Sequence, residues 1–220
     1  MTFLVDAAKY YKGLPHQIAA WEKLEALTPP YILDGFKEDY RNAPKPSQNP
    51  LEVEYFYQND NTSGTGYREC YSSSCAMLAA GYFKVKTDDE YNKVRARFGD
   101  STDTNAQLAA LKSLGLKPAF SVNGGVEDLK AEIDAGRPVG VGWLHAGPVT
   151  APHGGGHWSV VVGYTDKGLI LHDPNGEADL VNGNYLNNSN GKYIHYSYKN
   201  FMPRWCVDGP NTGWYMTCEQ

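Results

Sequence analysis

Cysteine and histidine are the side chains best suited to nucleophilic and proton-transfer chemistry near neutral pH, and the 220-residue chain has four and six of them. Cys70 opens the run Cys-Tyr-Ser-Ser-Ser-Cys-Ala-Met-Leu-Ala-Ala, whose small and apolar residues predict a buried helix. A thiol in a first helical turn faces unpaired backbone N–H groups and the positive end of the helix dipole, which stabilise its thiolate. Cys75 lies five residues on and reads as a small packed hydrophobe. Cys206 and Cys218 either pair as a disulfide or stay free, and no Cys-x-x-Cys spacing marks a zinc or redox site.

A thiolate that attacks a carbonyl needs a partner to hold its proton and return it to the leaving group. Of the histidines at 16, 145, 153, 157, 172 and 195, His157 stands out. It follows three glycines, which would let a substrate backbone approach, and begins the strand His-Trp-Ser-Val-Val-Val-Gly-Tyr. By spacing alone it equally ends a glycine turn. The imidazole needs an acceptor on its other nitrogen, and Asp173 closes the next apolar strand, Leu-Ile-Leu-His-Asp. Two antiparallel strands joined by the Thr165-Asp166-Lys167 turn would set the start of one beside the end of the other. The Cys70 backbone N–H and the Gln58 side-chain amide are the candidate donors for an oxyanion. A metal held by His145, His153 and His172 with Asp173 is not favoured, because strand and loop spacing does not define a tetrahedral set.

The elements that must position these groups are legible in part. Residues 1–45 read as a helical segment and linker, with Ile18, Trp21, Leu24 and Leu27 forming an apolar stripe, a second helix over 31–40, and prolines at 44, 46 and 50. A catalytic domain spans 46–220. Alternation of Val53, Tyr55 and Tyr57 against Glu52, Glu54 and Phe56 predicts a strand that delivers Gln58. Helices follow near 88–98, 104–114 (capped by Asp103 or Thr102) and 126–135, then strands at 138–144, 156–164, 168–172 and 193–198. Helices first and strands afterwards describe an α+β fold.

Composition narrows the partners. A net charge of -5, from 20 basic and 25 acidic residues without a basic stripe, argues against nucleic acid. No stretch approaches the roughly 18 apolar residues of a membrane span, and the first residues do not form a signal peptide, so synthesis in the cytoplasm is expected. The domain is read as a monomer that needs no cofactor.

At this level the chain resembles the bacteriocin-processing, double-glycine leader peptidases and their wider papain-like cysteine peptidase relatives. That pattern has a glutamine ahead of Cys-Gly-Pro-x-Ser/Cys-x-Ala-Met, then Gly-His-Phe/Trp-x-Val-Val-x-Gly, then Asp-Pro. Gln58, residues 70–77, residues 156–163 and Asp173-Pro174 match in order, and the Ala76-Met77 anchor assigns the nucleophile to Cys70. Gly136-Arg137-Pro138-Val139 is similar as well. The chain departs from the pattern at Tyr71-Ser72, in place of Gly-Pro, and in the long loop before Cys70. The resemblance implies a papain-like fold and thiol protease activity, with Cys70 as nucleophile, His157 as base, Asp173 as its orienting group and Gln58 as oxyanion donor. Residues 9–17 are similar to a leader found in cell-wall-degrading phage proteins. That likeness implies an endolysin acting on the peptide stem of peptidoglycan. An amidase or acyl transferase using the same site, or a non-catalytic wall-binding protein on a degenerate peptidase fold, are the alternatives.

Overall fold

The computed structural model describes residues 49–220, so the helices expected within 1–45 lie outside the described residues. Helix α1 (Cys70–Ala80) runs through the interior, with every side chain from Tyr71 to Ala79 buried. Its serines and alanines keep the helix thin enough for close packing. Buried hydroxyls then need partners: Ser73 donates to Asp88 at 2.7 Å and Ser72 accepts from Gln107 at 2.9 Å. Helix α2 (Asp88–Arg95) is capped by Thr87 and α3 (Thr104–Ser113) by Asp103, whose carboxylate accepts from the Asn105 N–H at 2.8 Å.

A six-stranded antiparallel sheet carries the remaining core. In chain order its strands are β1 (Lys117–Gly124), β2 (Val139–Trp143), β3 (His157–Tyr164), β4 (Gly168–His172), β7 (Ile194–Ser197) and β8 (Gly213–Glu219). They lie in the order β1-β8-β2-β3-β4-β7. A small hairpin of β5 (Glu177–Ala178) and β6 (Tyr185–Asn187) stands apart. Helices α4 (Val126–Asp134) and α5 (Tyr198–Trp205) complete the domain. Successive residues of a strand face opposite sides, yet Val160, Val161 and Val162 are all fully buried, so both faces of β3 are covered. Helix α1 packs on β2 and β3, which places the first turn of the helix against the start of β3. The expected α+β architecture is therefore present.

Four elements differ from the sequence reading. Residues 51–57 are extended but form no ladder, being tied at separate points by Leu51 N–H to Val162 O (2.6 Å), Val53 O to His172 Nε2 (3.1 Å) and Gln58 N–H to Pro174 O (2.9 Å). Phe56 is buried with Val53 rather than exposed with Glu52 and Glu54, because the tie to the His172 side chain replaces regular strand pairing. Strand β1 was not anticipated. It carries Pro118, which has no N–H to donate, and it occupies a sheet edge, where that loss is tolerated. Strand β8 inserts between β1 and β2, and the strand expected over 193–198 ends at Ser197, where α5 begins.

Candidate active site

Cys70 is the first residue of α1, where the backbone N–H groups have no intrahelical acceptor. The His157 imidazole and the Trp158 backbone N–H are the neighbours that act on its thiol, and both favour the thiolate. His157 opens β3 and Asp173 directly follows β4. The pairing of Val160 with His172 brings the two strand ends together, and the turn between them is fastened by the Thr165 hydroxyl, which accepts from the Lys167 and Gly168 N–H groups at 3.1 Å. His157 Nε2 consequently lies 2.7 Å from Asp173 Oδ1, leaving Nδ1 for the thiol. Asp173 is fully buried and held from two further sides, by the Asn175 N–H (3.0 Å) and the Tyr196 hydroxyl (3.1 Å). Sequence reasoning missed both. The Asp-Pro-Asn-Gly turn carried a signal for Asn175, since an Asp side chain commonly accepts from the N–H two residues on. Tyr196 on β7 carried none.

Three rings wall the imidazole edge-on: Trp143 at 5.3 Å, and Tyr185 and His145 at 5.7 Å between centroids. Burial opposes a charge on His157, but the Asp173 carboxylate and the Cys70 thiolate outweigh it and push its pKa up to about 10. Burial also opposes the Cys70 thiolate. The His157 charge and hydrogen bond and the Trp158 N–H reverse the balance, and the thiol titrates below its ordinary value. The other three cysteines go the opposite way: burial raises Cys75, Cys206 and Cys218. All four are free thiols, so the disulfide left open between Cys206 and Cys218 does not form.

Gln58 sits on a 3-10 turn (Gln58–Asp60) and is buried. Its Nε2 donates to Gly66 O at 2.8 Å, which uses one of the two amide hydrogens. The long loop before Cys70 is gathered by a residue that no sequence motif marks. Glu69, buried immediately ahead of the nucleophile, accepts from Asn61 (2.8 Å), Ser63 (2.9 Å), Thr65 (2.8 Å) and Asn92 (3.3 Å). The loop therefore closes back on the helix start instead of projecting into solvent. Tyr71, the departure from Gly-Pro, leaves the helix start intact and stacks face to face on Trp158, with centroids 3.8 Å apart and planes 3° from parallel.

His172, beside Asp173, is buried and uses both ring nitrogens on backbone groups. Its Nε2–H donates to Val53 O while Nδ1 accepts from the Tyr193 N–H at 3.1 Å, and burial lowers its pKa to about 4. Among the described residues no group of three or more His, Cys, Asp or Glu is arranged to hold a metal.

Helical packing of a cysteine-bearing helix start against an antiparallel sheet is the architecture of the papain-like cysteine peptidases. The sequence pattern of the Peptidase_C39 like family matches residues 39–205, and the chain belongs to that family of cysteine peptidases. No curated protein matches it. Solved structures share the fold, among them the following two. The peptidase domain of Streptococcus ComA, a bi-functional ABC transporter involved in quorum sensing, aligns over 76% of this chain and 98% of its own, with a TM-score of 0.51 at 19% identity. A C39-like peptidase from Bacillus anthracis aligns over 79% of this chain and 98% of its own, with a TM-score of 0.54 at 14% identity. Among the described residues no helix is long and apolar enough to cross a membrane.

Proposed function

We propose that this chain is an endopeptidase that hydrolyses peptide bonds in the stem of bacterial peptidoglycan, in the manner of a phage endolysin. Cys70 is its nucleophile, His157 its general base and acid, and Asp173 the group that orients the base. The observation that carries the reading is the contrast among the four thiols: only Cys70 is lowered, and the imidazole that lowers it is held 2.7 Å from a buried carboxylate.

In this mechanism the Cys70 thiolate forms a bond to the carbonyl carbon, and the oxyanion accepts from the Cys70 N–H and from the second amide hydrogen of Gln58. His157 passes its proton to the departing amine as the C–N bond breaks, leaving a thioester. Water gives a proton to the same imidazole, attacks the thioester and releases the acid. The proton then balances the restored thiolate as the imidazolium. Peptidoglycan as substrate is supported by residues 9–17, with their likeness to phage wall-degrading proteins. In that setting the enzyme is made in the host cytoplasm and reaches the wall after release.

Digestion of purified peptidoglycan followed by mass spectrometry tests the reading. New free amines on stem residues are the expected products. A free lactyl group on the sugar would assign the same site to an amidase, and an unchanged wall would remove peptidoglycan as the substrate.

A further inference from the structure

Beside Cys70 lies a cleft of about 370 Å³, a size suited to a substrate side chain. Its walls include Trp143, Trp158, Trp205 and Trp214, and its rim the glycines 154–156. Trp214 is 53% exposed and Val207 49%, so the cleft keeps large apolar surface in water. Two charged side chains border it. Arg204 is wholly buried and spent on carbonyls: Nε on Leu180 (2.9 Å), Nη1 on Leu144 (3.0 Å) and Ala146 (3.2 Å), Nη2 on Gly147 (2.6 Å). Four of its five N–H donors are committed to carbonyls, three of them in the 144–147 loop, so it is mainly a structural group. Asp208 is the opposite case, an exposed carboxylate with no hydrogen-bond or ion-pair partner among the described residues. It stands on a fastened turn between α5 and β8. There the Gly209 N–H meets Cys206 O at 3.3 Å, the Thr212 hydroxyl meets Gly209 O at 2.8 Å, and Trp205 Nε1 holds Trp214 O at 2.9 Å.

A free carboxylate among tryptophan faces attracts a cation. An ammonium gains from the charge and from the ring quadrupoles, while its aliphatic stem covers the exposed indole. We infer that this cleft is a subsite for a substrate residue whose side chain ends in a primary ammonium, such as lysine or another diamino acid. The inference rests on the proposal of a peptidoglycan stem substrate and adds the residue that the site selects. A substrate with only glycine near the scissile bond would leave the cleft empty.

Binding to a Cys70→Ala background separates this inference from the catalytic reading, because it needs no turnover. The probes are two stem peptides, identical except that the diamino residue is lysine in one and norleucine in the other, titrated by calorimetry. The lysine peptide should bind about tenfold more tightly. Adding Asp208→Asn, an exposed substitution, should erase the difference, and Asp208→Glu should restore part of it. Equal or undetectable binding of the two peptides, or a preference that survives Asp208→Asn, overturns the subsite. Turnover that persists in Cys70→Ala would instead overturn the catalytic assignment.

Discussion

Cys70→Ala abolishes turnover, by at least about a thousandfold in kcat/KM, without loss of fold. The thiol is the atom that bonds to the carbonyl, and no other sulfur can substitute. Cys75 is buried inside α1, where its thiol meets the Met216 sulfur at 3.8 Å, while Cys206 bonds the Gly124 carbonyl at 3.7 Å. Removing one sulfur atom from a partly exposed helix start opens little space, so the thermal transition should stay close to that of the wild type. Cys206→Ala should keep its activity. Steady-state rates on the cleaved substrate, with circular dichroism of each variant, check the expectation. Activity retained in Cys70→Ala would refute it.

Asp173→Asn should lower kcat by a hundredfold or more with KM little changed. The substitution is nearly isosteric, and its amide oxygen can still accept from the His157 Nε2–H and the Asn175 N–H, while the Tyr196 hydroxyl can turn to accept from the new amide. What disappears is the negative charge that, with the thiolate, outweighs the burial of His157. The imidazolium is then less stable, so the proton leaves His157 at lower pH and the thiolate loses its cation. The sign follows. Activity requires a deprotonated Cys70 and a protonated His157, so its alkaline limb is set by the imidazolium and should move down from about 10 in the variant. A variant with wild-type kcat and an unmoved alkaline limb would show that Asp173 only fills space.

How much of this was legible in the chain depends on the range of the interactions involved. Cys70 at a helix start and the β3-turn-β4 unit are local features, and their types and spacings marked Cys70, His157 and Asp173, which the fold brings together. Gln58, expected at the end of a strand, stands instead on a buried 3-10 turn. Alternation in 51–57 resembled a strand, whereas the segment is fastened through the His172 ring to a carbonyl, a tie no periodicity reports. Strand β8 completes the sheet between β1 and β2 only because the C-terminal residues return across the domain. Asp208, Trp205 and Trp214 similarly meet the glycine rim through tertiary structure alone. Glu69 is held in its burial by four partners, three in the preceding loop and one on α2, which no local pattern marks. Tyr71, where the chain departs from Gly-Pro, stacks on Trp158, a contact that the local sequence does not report.

The most direct measurement is the rate of Cys70 alkylation by iodoacetamide as a function of pH, with and without His157. In the wild type the reaction should already be fast well below the ordinary thiol range of about 8.5, because the imidazolium and the Trp158 N–H hold the thiolate. In His157→Ala the acid limb should shift upward, since burial then acts on the sulfur without the opposing charge. A wild-type profile that rises only in the ordinary thiol range, or one that His157→Ala leaves unchanged, would contradict the thiolate–imidazolium pair.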